Sequence, residues 1–140
     1  MHHRAITGGA SIGLVFDQID GRWTFRVCRD RNGNGIRRTE IKAGVDVCPE
    51  GPHDIASILP GSRIAVLAGI PGPEGTASPT DAVKFGASDI ASFSSAGSCT
   101  AGSIYLQSLD GTQYAIRVLG INGRTRMLRY DPIQKKWTEV

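Results

Sequence analysis

The sequence predicts a mainly β protein: two antiparallel sheets packed as a sandwich, ending in a C-terminal meander. Three observations lead there. Short runs of β-branched, aromatic and aliphatic residues recur from Ser11 onward at the roughly 8–12-residue spacing of all-β folds. Turn residues separate them, as in Asp20-Gly21, Asp110-Gly111, Asn122-Gly123 and Asp131-Pro132. Between Arg22 and Cys28 the pattern alternates, with Trp23, Phe25 and Val27 on one face and Arg22, Thr24, Arg26 and Cys28 on the other.

Taken in order, Thr7-Gly-Gly-Ala10 suits the stop of a short helix. Ser11 to Gln18 reads as a strand, Asp20-Gly21 as a turn, and Arg22 to Cys28 as the returning strand, with one buried and one wet face. Arg29 to Pro52 breaks the pattern. Asp54 to Leu59 fits either a short strand or one helical turn, and Arg63 to Leu67 reads as a strand. Gly69 to Pro79, with three prolines and several glycines, reads as an exposed loop. Val83 to Phe85 and Ile90 to Phe93 are short strands, and Ser94 to Gly102 is a turn. The last third forms four consecutive strands. Asp110-Gly111 between the first two suggests a type I′ turn, which needs positive φ at both central positions. No composition shift or repeat divides residues 1–140, so they form one domain.

With 140 residues, the chain buries enough surface to fold without obligatory disulfides. No apolar run reaches the roughly 18 residues of a spanning helix. A net charge of +3 permits an anionic partner without requiring one. Three cysteines allow at most one intrachain bond. Cys28 and Cys48 bracket the irregular segment, so a bond between them would staple it in an oxidising compartment. Both could equally stay reduced, and Cys99 could take either partner.

Two clusters carry possible chemistry. Asp30, Asn32 and Asn34, followed by Gly35, have the alternate oxygen ligands and the glycine bend of a short calcium loop. Glu40 stands one place before the usual closing carboxylate, and Asp46 is a further candidate ligand. The same residues suit a loop whose side chains cap its own backbone. Arg124 and Arg126 lie two apart on a strand, with Arg117, Arg129, Lys135 and Lys136 near in sequence. Together they read as a basic patch able to grip phosphates, or as a solvated strand face. His2, His3 and His53 and the serines of 92–98 form no nucleophile motif, and zinc spacing is absent, which argues against an enzyme.

The chain resembles the globular head of GspH/FimT-type pseudopilins, the minor subunits of type II secretion systems and type IV pili. The residues that carry the resemblance are Ser11 to Phe16, Asp30 to Arg37 with Glu40-Ile41 and Gly44-Val-Asp46, and Phe93-Ser-Ser-Ala-Gly97. It continues through Gly102-Ser-Ile-Tyr-Leu106, Tyr114 to Val118, Gly123-Arg-Thr-Arg126 and a late Trp137. It implies a sandwich head behind an N-terminal helix, preceded by a leader and a long hydrophobic helix that anchors the subunit. Ala5 to Ala10 would be the tail of that helix. It implies a non-enzymatic, periplasmic head of an inner-membrane-anchored bacterial subunit, at a pilus tip or cell surface if a pilin. It needs no cofactor, contacts other pseudopilins or pilins and meets secreted cargo or DNA. In some family members the Gly-Arg-x-Arg motif is linked to DNA binding, and Arg124 and Arg126 fall on it here. The alternatives are a DNA-binding minor pilin and a secreted, calcium-binding adhesive β-sandwich.

Overall fold

The computed structural model describes residues 11–31, 33–58, 60–94, 97–120 and 124–140. The helix expected before Ser11, Asn32, the Ser95-Ala96 step and the Asn122-Gly123 turn lie outside the described residues.

The protein is mainly β, with two antiparallel sheets. In the first, β1 (Ile12–Ile19) and β2 (Arg22–Arg29) form a hairpin in register from Ile12↔Arg29 to Ile19↔Arg22. Its turn has φ of 51° at Asp20 and 77° at Gly21, the positive values that a two-residue hairpin loop selects. Strand β3 (Val47–Asp54) adds to β2, and β6 (Ile90–Phe93) adds to β1. Strand β3 overlaps the end of the stretch whose pattern breaks in the sequence, because Pro49, Gly51 and Pro52 interrupt it. It tolerates them as an edge strand, with two register shifts against β2.

The second sheet has the order β10 (Lys136–Glu139), β9 (Thr125–Asp131), β8 (Gln113–Val118), β7 (Gly102–Ser108), β4 (Ser62–Ile64), and β5 (Val83–Lys84) also pairs with β7. Strands β7 to β10 are the expected meander. The β7–β8 turn differs from expectation. Ser108 N–H donates to the Thr112 carbonyl across Leu109-Asp110-Gly111, and of these three only Gly111 has positive φ, at 84°. This is a three-residue loop with a left-handed glycine, not a type I′ turn. Gly102 allows β5 to approach β7: a Cβ there would overlap the Phe85 ring and the Lys84 carbonyl.

The main core lies between the sheets. Ile12, Phe16, Val27, Ala91 and Phe93 from the first sheet meet Val83, Phe85, Val118 and Ile104 from the second side. Phe16 and Phe85 stack with ring centroids 5.1 Å apart. Burying each such ring contributes about 2–3 kcal/mol. Trp23, Phe25 and Val27 share the inner face of β2, as their alternation requires.

The outer face of the first sheet is wet only in part: Arg22 is exposed and Arg26 half-buried as the sequence implies, but the Cys28 end is covered. Val15, Cys28 and Ile90 form a second cluster there, covered by Ile36, Ile41 and Cys48 from the 30–48 segment. Helix α1 (Arg38–Lys42) holds the segment in place through Arg38. That guanidinium donates to Asp17 Oδ1 at 2.7 Å, the Phe16 carbonyl at 2.8 Å and the Ser88 carbonyl at 2.8 Å. A disulfide joins Cys28 on β2 to Cys48 on β3. Residues Ile55–Ile58 form α2, which resolves the choice between strand and helical turn at 54–59 in favour of the turn.

Candidate functional site

The outer face of the six-stranded sheet carries the candidate site. Strand alternation and register place Ser103, Tyr105 and Gln107 of β7, Gln113, Ala115 and Arg117 of β8, and Arg126, Leu128 and Tyr130 of β9 on this face. Trp137 and Glu139 of β10 join them. Residues 65–82 run across the face as a strap. Gln113, 2 % exposed, holds one end: its amide donates to the Ala65 carbonyl and accepts from Leu67 N–H. Strand β4 ends at Ile64 rather than continuing to Leu67: Ala65 N–H still donates to the Tyr105 carbonyl, but the Ala65 carbonyl and Leu67 N–H turn to Gln113. Trp137 Nε1–H donates to the Pro71 carbonyl at 2.8 Å. Tyr105 N–H closes the other end on the Ala82 carbonyl at 2.7 Å. Ile70 and Pro73 are buried, which corrects the expectation of a wholly exposed loop from Gly69 to Pro79.

Arg117 and Arg126 stand opposite each other in the β8–β9 ladder. Glu74 of the strap reaches both: Oε1 lies 3.5 Å from Arg117 Nε, and Oε2 accepts from Arg126 Nη1. Arg117 Nη1 also donates to Ser103 Oγ at 2.6 Å. Arg126 Nε sits 3.3 Å from Glu139 Oε1. Hydrogen bonding to Glu139, then the charges of Glu139 and Glu74, raise the Arg126 pKa above its already high ordinary value. Two cations and two carboxylates thus balance. Glu74 itself sits in the left-handed region, with φ 58° and ψ 35°, followed by Gly75 at φ 76°. A non-glycine residue there costs about 1 kcal/mol, so the fold accepts strain to aim this carboxylate. Beside Arg117 a groove of about 360 Å³ is lined by Thr76, Ser78, Asp81, Lys84 and Ser103.

The six cations read as one patch do not converge. Arg129 faces the opposite side of β9 from Arg126, because the two are an odd number of residues apart. Lys135 and Lys136 lie at the β9–β10 turn, at the far end of β9 from Arg124, about 20 Å of strand away. Arg124 is exposed, and its carbonyl accepts Leu119 N–H to close the β8–β9 connection. Arg117 and Arg126 remain as a pair. Sequence reasoning missed their partners Glu74, Glu139 and Ser103. One signal was available: Glu74 is the single charged residue between Arg63 and Asp81.

The 30–46 loop is organised from within. Asp30 Oδ1 accepts Gly33 N–H and Oδ2 accepts Gly35 N–H. Asp46 Oδ1 accepts Arg31 N–H and Oδ2 accepts Arg37 N–H. Both aspartates are buried, at 7 % and 1 % exposure. Each oxygen therefore faces an amide hydrogen. Asn34 uses its amide as a donor, to Glu40 Oε1 at 2.6 Å. Among the described residues no three His, Cys, Asp or Glu side chains gather as a metal set. This geometry is that of a loop whose carboxylates cap its own backbone. Cys99 is not part of the disulfide and its Sγ donates to the Leu119 carbonyl at 3.2 Å, and His53 packs at a tilt against Phe25.

No family model, curated protein or solved structure matches this chain.

Proposed function

We propose that the chain is the head domain of a minor pseudopilin or minor pilin of the GspH/FimT type, a structural subunit that works by assembly with other pilin-like proteins. The observation that carries this reading is the ordered set of motifs, from Asp30-Arg-Asn-Gly-Asn-Gly35 through Gly102-Ser-Ile-Tyr-Leu106 to Arg124-Thr-Arg126, on a two-sheet head ending in a meander. The motifs have consistent structural uses. Asp30 and Asp46 knit the loop that covers the first sheet, and Gly102 admits β5. A periplasmic setting agrees with the Cys28–Cys48 bond. The test is photo-cross-linking in the native cell from exposed positions such as Leu109 and Ile133, each 91 % exposed. Cross-links to pilin-type subunits are the expected result. Recovery only of unrelated extracellular matrix would point to an adhesin instead.

A second reading is DNA binding through Arg117, Arg124 and Arg126. The adjacency of Arg117 and Arg126 in register favours it. It predicts affinity that falls steeply with salt, by about 0.9 log units per log unit for each phosphate neutralised. Replacing Arg124 and Arg126 by Ala should abolish it.

A further inference from the structure

We propose that Glu74 is a built-in counter-ion that keeps the arginine pair closed, and that a polyanion gains access only by lifting the strap. This inference rests on the second reading above and adds its regulation.

Three observations converge. Like charges opposed in a ladder repel, so Arg117 and Arg126 need an anion between them. The Glu74 carboxylate fills that place with one oxygen toward each guanidinium. It presents the same fork of two oxygens that a phosphodiester offers to arginine. The carboxylate sits on strained backbone within a segment that forms no ladder of its own. Around Glu74 no strand pairing holds the strap to the sheet: its attachments are the Trp137 bond to Pro71, the two arginine pairs and the buried side chains of Ile70 and Pro73, which must also be lifted. Such attachments open at lower cost than paired strands. The groove lined by Lys84, Ser103 and Thr76 continues from Arg117, so an anion that displaced Glu74 would meet a further cation and two hydroxyls, with Asp81 as an opposing charge.

The two states differ in what the arginines hold. In the closed state Glu74 and Glu139 neutralise them. In the open state Glu74 swings into water with its loop, and phosphate oxygens take its place. If the closed state dominates by about tenfold, the apparent affinity of the wild type is reduced by the same factor, because only the open fraction binds.

The test uses the whole chain and a fluorescein-labelled 20-base-pair DNA duplex at low salt. Glu74→Gln keeps the shape of the side chain and removes its charge. The expected result is binding about tenfold tighter than wild type, with the gain lost when Arg117 and Arg126 are also changed to Gln. Trp137 reports the strap directly in a Trp23→Phe background, and its emission should shift to the red as DNA is added to the wild type. Should Glu74→Gln lose its fold, the Trp137 signal of the wild-type charge set and hydrogen exchange of amides 70–76 decide the matter. Faster exchange with DNA supports the strap opening, and unchanged exchange overturns it. Equal binding by wild type and Glu74→Gln, with both weakened by Arg124→Ala, overturns the counter-ion while leaving DNA binding in place. Absence of binding by every variant removes the DNA reading and the counter-ion with it.

Discussion

Arg117 and Arg126 face each other across the β8–β9 ladder, and the Glu74 carboxylate touches both guanidinium groups. Alone, the two cations would destabilise their strands by a few tenths of a kcal/mol or more. With Glu74 between them, the same pair fastens residues 65–82 across the sheet. A double-mutant cycle of Glu74→Ala with Arg126→Ala should therefore return a favourable coupling that shrinks in 1 M salt. A coupling near zero would mean that the strap is held by its other attachments, Trp137, Gln113, Tyr105 and the buried Ile70 and Pro73.

Asp46 is the more deeply buried of the two loop carboxylates, and it accepts the backbone amides of Arg31 and Arg37. Asp46→Ala strands both donors and should cost about 3 kcal/mol in urea unfolding. Because the carboxylates are already committed to amides, calcium at about 1 mM should move the melting temperature by less than about 1 °C. A shift of several degrees that disappears in Asp30→Ala would restore the calcium reading.

The Cys28–Cys48 bond spans a sequence separation of 20 and ties the covering segment to the sheet beneath it. Reduction should lower stability by about 3 kcal/mol, the chain-entropy value for a loop of this size. Cys99→Ser should leave stability within about 0.5 kcal/mol of wild type, since the serine hydroxyl can donate to the Leu119 carbonyl as the thiol does. The reverse order of effects would reassign the pairing.

The hairpins were legible because turn chemistry and alternation are local. Asp20-Gly21 and the Trp23-Phe25-Val27 face stand as the residues imply. The meander follows from its turn residues, although Gly111 serves a three-residue loop rather than a type I′ turn. What stayed hidden depends on partners distant in the chain. Glu74 meets Arg126 across 52 positions, and Arg38 meets Ser88 across 50. Strand β3 was hidden by its own prolines, which only an edge position tolerates. The wet face assigned to β2 holds at Arg22, but its Cys28 end is covered because Ile36 and Ile41 fold back over it, a contact that no period announces. The basic cluster failed as a unit for a local reason: Arg126 and Arg129 differ by an odd number of residues.

Asp110 sets the pH dependence of the β7–β8 turn. The Ser108 hydroxyl, then the Thr112 backbone N–H, hold its carboxyl at about 2 against an ordinary 3.8. A carboxyl depressed on folding adds stability that is present above the ordinary value and is lost as pH falls through the lower one. Wild type should therefore lose its advantage over Asp110→Asn between pH 3.8 and pH 2, and keep it unchanged from pH 5 to pH 7. An advantage that vanished near neutral pH would place the responsible group elsewhere.

The most direct measurement of the central claim is the N-terminal sequence of the mature protein in its native cell, read together with the reading frame that encodes it. A pilin-type subunit requires a cleaved leader followed by an apolar helix of about 20 residues ahead of Ser11, long enough to span a bilayer. That segment, joined directly to this head, is the predicted result. A conventional signal peptide cleaved just before the head, with no apolar helix retained in the mature chain, would contradict the account.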